Sequence, residues 1–189
     1  MPSIRAVQRG VVLLATSCCL LWPKAGICLV GQGASDPLTN PQADQVRELG
    51  TNPTERVKLY LKFVNQRVDE IEQLAKDSHE NNRPAELRAR YDEFTRLTDE
   101  LSENIDTYHE DHADIRKALR QVASKNAHWS EVLNAPPPDR TYDFARRTAL
   151  NAAASCGNQV QKLLADEEAY FTQHKDQAGK NGEAPSPEE

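Results

Sequence analysis

The 189 residues predict an all-α protein: an elongated antiparallel three-helix bundle with heptad-patterned long helices. Three observations carry this. Apolar side chains recur at alternating spacings of four and three over most of the chain, the period of a buried helical stripe. Glycine is scarce, at 8 residues, and no alternating β-branched runs lie between turn signals, so sandwiches, barrels and glycine-looped nucleotide folds have little to rest on. With 38% hydrophobic and 28% charged residues and a mean hydropathy of -0.72, the composition fits one small soluble domain and excludes a polytopic membrane protein.

Arg5 and Arg9 precede an apolar run from Val11 to Trp22, and no acidic residue appears before Asp36, which is the layout of a secretory signal peptide. Residues 1–33 therefore read as an export signal, cut after a position between 31 and 35. Both Gly31-Gln32-Gly33 before Ala34 and Gly33-Ala34-Ser35 before Asp36 place small residues at −3 and −1. The expected location is periplasmic or secreted. The alternative is a retained N-terminal anchor, because Val11 to Val30 covers 20 positions, although Pro23 and Lys24 interrupt it. No other membrane contact is expected. Losing Arg5, Arg9 and Lys24 from the 23 basic residues leaves 20 against 29 acidic ones, a balance of -9. Such a surface seeks neither anionic lipid nor nucleic acid. Cys18, Cys19 and Cys28 leave with the signal, so Cys156 remains alone; its place on an apolar stripe reads as a small buried hydrophobe.

Residues 34–52 are rich in Pro, Asn, Asp, Gln and Gly and read as a flexible linker, with one short helix from Pro41 to Leu49 ended by Gly50. The bundle domain spans 53–174. Asn52 before Pro53 is a helix start, since a capping side chain precedes a proline at the first helical position. The helix over 53–79 carries Val57, Leu61, Val64, Val68, Ile71 and Ala75 at spacings of 4, 3, 4, 3 and 4. Asn81-Asn82-Arg83-Pro84 stops it and opens the next, so the two are antiparallel neighbours.

The segment 84–134 has the clearest pattern. Its seam begins Leu87, Tyr91, Phe94, Thr98, Leu101, runs through Ile105, Tyr108, His112 and Ile115, and ends Leu119, Val122, Asn126, Trp129, Leu133. None of these fourteen positions is Asp, Glu, Lys or Arg. Pro136-Pro137-Pro138 ends the segment, and Asp139 is placed to cap a last helix over 139–174. That helix shows Phe144, Ala145, Ala149, Ala152, Cys156, Val160, Leu163, Tyr170 and Phe171 on one side, with Glu167 an exception. Its small-residue middle, 152–157, reads either as a close helix contact or as a ligand cavity. Residues 175–189 read as a disordered tail.

At 1.5 Å per residue the three helices measure about 40, 75 and 55 Å. The outer two then overlap by about 20 Å beside a continuous middle rod, leaving apolar stripes near Leu87 and Tyr91 and near Leu119, Val122, Trp129 and Leu133 in two-helix arms. If instead the rod breaks near His109-Glu110, with Asp111 capping a new helix, the result is a shorter four-helix bundle. The unbroken heptad favours the rod.

His109, Asp111 and His112 form the one cluster of candidate metal ligands, with Glu110 and Asp114 beside them. Two histidines three apart supply half of a tetrahedral site and are not the zinc-protease spacing. The competing reading makes His109 solvated and His112 a hydrogen-bonded seam residue. His79 reads as a complement to the dipole at a helix end. No catalytic residues and no cofactor are expected: nucleophile elbows and phosphate-binding glycine loops are absent from the sequence. The expected role is a non-enzymatic protein-interaction or scaffolding module that meets a protein partner or itself through helix seams; the alternative is a periplasmic metal-binding protein. Mass spectrometry of the exported chain is expected to find an N-terminus at Ala34 or Asp36; an intact Met1 in the exported fraction would refute cleavage.

Overall fold

A computed structural model describes residues 36–49, 52–77 and 82–179. The export signal, His79 and residues 180–189 of the tail fall outside them. The described residues form five α-helices and no strand: α1 (Asn40–Glu48), α2 (Pro53–Lys76), α3 (Arg83–Glu110), α4 (Arg116–Asn134) and α5 (Asp143–Gln173).

Local chemistry sets the ends. Thr39 and Gln42 form a reciprocal capping box at the start of α1, with the Thr39 N–H donating to Gln42 Oε1 at 3.0 Å and the Gln42 N–H to Thr39 Oγ1 at 3.4 Å. Asn52 caps α2 by accepting the Glu55 N–H, and Pro53 fills the first helical position. At the other end of α2, Arg83 donates to the Leu74 carbonyl at 2.6 Å and the Ala75 carbonyl at 3.1 Å, satisfying carbonyls that the helix leaves open and tying the α2–α3 hairpin.

The segment expected as one rod is two helices. Asp111 ends α3, and His112 takes a left-handed φ of 55°. The His112 N–H donates to His109 O, and the Ala113 N–H donates to Tyr108 O at 2.9 Å, the pair of bonds that closes a Schellman motif. Asp111 thus closes α3 and does not cap α4, whose first flanking residue is Ile115. Ala113 is buried under the turn. With this reversal α2 packs on α3 and α4, and α5 packs on the same two.

The seam is buried, as its period requires: Leu87, Tyr91, Phe94, Leu101, Ile105 and Ile115 have no exposed surface. The same holds for Leu119, Val122, Trp129 and Leu133, so the open stripes expected of a straight rod do not exist; the folded-back chain covers them itself. Tyr91 donates to the Leu133 carbonyl at 3.0 Å, and Trp129 Nε1 donates to Asn65 Oδ1 at 2.8 Å while meeting the Phe94 ring edge-on. His112, at the turn, is the exposed member of the seam.

Asp139 does not cap α5. Its carboxylate accepts the Thr141 N–H and its carbonyl the Asp143 N–H, so the helix starts four residues later. Phe144, expected on the buried side, is 76% exposed. The inward line runs through Ala145, Ala149, Ala153, Cys156, Val160 and Leu163, and Phe144 sits more than a third of a turn from its centre. Among the described residues no helix is long and apolar enough to cross a membrane. At the C-terminus, residues 175–179 form turns, and the Gly179 N–H donates to Asp114 Oδ2 at 2.8 Å.

The small middle of α5 serves close helix contact. A β-carbon on Gly157 would fall 2.1 Å from Asn126 Nδ2 of α4. Gly157→Ala is therefore expected to destabilise the protein by about 1–2 kcal/mol despite the better helix propensity of alanine. Adding Asn126→Ala should restore it, because the new methyl then occupies the vacated space. Denaturant titration measures both, and a stabilised single variant would contradict the packing.

Candidate functional site

The sequence candidates His109, Asp111 and His112 lie together in chain order at the α3–α4 turn, but the fold sends them to different partners. His109 projects from the last turn of α3 to Glu167 of α5, with Nδ1 to Oε1 at 2.7 Å. His112 leaves the helix, and its ring stacks on Tyr170 at 4.4 Å between centroids. Asp111 is exposed and its backbone closes α3. Among the described residues no group of three or more His, Cys, Asp or Glu side chains is arranged to hold a metal ion.

What converges there is a polar cluster between the α3–α4 turn and the end of α5. Glu167 occupies a position of the inward face of α5 and is only 2% exposed, whereas His109 is 31% exposed. Burial holds the Glu167 carboxyl above its ordinary 4.5, and the hydrogen bond from His109 offsets part of that. Oε2 of Glu167 is buried and has no hydrogen-bond partner. Next to this pair, Arg116 grips Asp114 through two bonds of 2.8 and 2.7 Å and lays its guanidinium over the Phe171 ring, 4.5 Å from the centroid. Arg116 holds the Asp114 carboxyl below its usual range. Thr54 at the start of α2 donates to the Asp114 carbonyl and the Gly179 N–H to its carboxylate, so α2, α4 and the turns after α5 meet on one residue. Tyr170 carries His174 as well as His112 against its ring and donates its hydroxyl to Gln177.

This arrangement compensates a buried carboxylate and fastens the α3–α4 turn to the end of α5. Glu167 had a signal in the sequence, being the one acidic residue on an apolar stripe. Arg116 and Tyr170 had none, because a charged residue after a turn and an aromatic near a helix end are common.

A second polar centre lies on α2. Arg67, only 6% exposed, pairs with Glu93 of α3 at 2.5 Å and with Glu70 at 3.3 Å, and donates to the Pro37 carbonyl and to Gln42. Gln42 in turn donates to Gln66 at 2.9 Å, and Val46 joins the core, so α1 is docked on α2. Both centres knit helices together, and neither places a nucleophile beside a base.

The Glu167 environment sets a pH dependence. Its folded pKa is raised, so its contribution to stability is complete below the ordinary 4.5 and is lost as pH rises through the raised value. Glu167→Gln removes that loss. The stability of the variant relative to the parent is expected to increase between about pH 4 and about pH 8 in denaturant titrations, and a difference that stays flat would refute the assignment. No family model matches the chain, and neither a curated protein nor a solved structure matches it.

Proposed function

We propose that this is an exported, non-enzymatic helical protein that works by protein contact, as an interaction or scaffolding module in the periplasm or outside the cell. The architecture proposed for it is a closed four-helix bundle in which α2, α3, α5 and α4 follow one another around the core, α2 antiparallel to α3 and α4 to α5 while α3 runs parallel to α5 and α2 to α4, with α1 docked outside. The basic residues and apolar run at the N-terminus support export. The seams support a scaffold and are consumed by it, so contact with other molecules passes to the outer faces.

One observation carries the contact role: Phe144 is the exposed large hydrophobic side chain among the described residues, standing in water on α5 while the comparable side chains are covered. A photo-reactive amino acid placed at position 144, expressed in the native host, tests it. The expected result is a cross-linked protein adduct from position 144 and none from the charged, exposed position 88 on α3. A folded, exported protein that yields no adduct from position 144 would overturn the reading.

A further inference from the structure

We infer that the groove between α2 and α4 is a binding site for a small sugar acid, a ligand with one carboxylate and several hydroxyls. The inference goes beyond the contact role above and does not involve Phe144. The groove encloses about 390 Å³, and its lining includes Leu61, Lys62, Asn65, Gln66 and Asp69 of α2 and Lys125 of α4. It is locally cationic in a chain whose formal net charge is -6.

The register of the two helices brings the lysines together. Thr54 bonds the carbonyl of Asp114 just before α4, and Asn65 bonds Trp129, so the residues between keep pace and Lys62 comes level with Lys125 on the opposite bank. Both lysines are exposed, and neither makes an ion pair among the described residues. Two ammonium groups that face each other repel, and an anion between them relieves the repulsion. Lys58, one turn back, is already paired with Glu55 at 2.6 Å.

Buried bonds fix the amides beside them. Trp129, which has no exposed surface, donates Nε1–H to Asn65 Oδ1 at 2.8 Å, so that oxygen is spent inward and the NH2 of Asn65 is the end left for the groove. Gln42 accepts the Thr39 N–H and the Arg67 guanidinium on Oε1, so its own NH2 donates to Gln66 Oε1 at 2.9 Å. Gln66 is thereby left with its NH2 as well. The ammoniums and both amides suit a carboxylate and the oxygens next to it. Asp69 stands two turns beyond Lys62, about 10 Å away at 1.5 Å per residue, and is exposed. It accepts hydroxyls and repels a second negative charge, so a single acid group with a hydroxylated body fits where a polyanion does not. The nearly buried Leu61 gives the floor an apolar patch for the C–H face of a ring.

Titration of the isotope-labelled full chain with glucuronate, followed by nuclear magnetic resonance of its backbone and side-chain amides, tests this. Saturable shifts of the Asn65 and Gln66 NH2 signals are expected with a Kd of about 1–10 mM, because the charges are exposed to water. Glucose, which lacks the carboxylate, and inorganic phosphate, which lacks the hydroxylated body, should each bind about tenfold more weakly. Lys62→Gln with Lys125→Gln should weaken glucuronate about tenfold. Asn65→Asp keeps an oxygen for Trp129 and replaces the NH2 by a negative charge, so it should abolish binding, with circular dichroism confirming that each variant is folded. No saturable shift, an equal response to glucose or to phosphate, or binding unchanged in the variants would overturn the site. Glucuronate binding by a chain that yields no adduct from position 144 would uphold this site while retiring the contact role.

Discussion

The chain reversal between Glu110 and Arg116 is the constraint on which the rest of the structure depends. It holds one non-glycine residue, His112, in the left-handed region, at a cost of about 1–3 kcal/mol. In return Ile115, Leu119, Val122, Trp129 and Leu133 become fully buried. Each such side chain contributes about 1.5–3 kcal/mol when removed from water, as an upper bound that ignores residual burial in the unfolded chain. The burial outweighs the strain several-fold, which is why a heptad that runs without a slip through residue 112 bends there. The Schellman hydrogen bonds from His112 and Ala113 keep the end of α3 satisfied while it does so.

Polar side chains then fix how the helices sit. Arg67 joins α2 to α3 and to the segment leading into α1, Tyr91 joins the start of α3 to the end of α4, and His109 with Glu167 joins the end of α3 to α5. The contacts at Tyr91 and Glu93 sit near the start of α3 and that at His109 near its end, so sliding of α3 along its neighbours breaks at least one of them. Apolar burial is non-directional and supplies most of the stabilisation. The hydrogen bonds supply the register, because an unpaired buried donor or acceptor costs about 1–3 kcal/mol.

What was legible in the sequence follows the same division. Burial of Tyr91, Ile105 and Leu119 was readable because a period of 3.5 residues is a property of the chain itself. The start of α2 was readable because Asn52 and Pro53 act on adjacent backbone groups. A break near His109-Glu110 was legible as an alternative and was not preferred, because the heptad runs through it without a slip; the bend itself falls at His112, with no glycine, the usual signal of a left-handed helix end, to mark it. The reversal was decided by where the seam could be covered, a tertiary question. Arg67 and Glu93 look like any solvated pair on helices rich in charge, and the bonds of Arg67 to Pro37 and Gln42 come only with the docking of α1. Phe144 was assigned inward because residues 144 and 145 both fit an apolar stripe about a turn wide, and the fold chose the alanine. Of the candidate ligands, His109, Asp111 and His112 were correctly seen as close in sequence. Their divergence depends on the rotation that the left-handed residue imposes.

Cys156 lies wholly inside this packing, and burial pushes its thiol above the ordinary value. Thiolate is the form that attacks disulfides and meets oxidants, so a sulfur that stays protonated and covered is chemically silent even where redox conditions favour cross-linking. It is the free cysteine of the described residues, and its side chain points into the core. The described surface therefore offers an oxidant no thiol with which to join this chain covalently to another molecule.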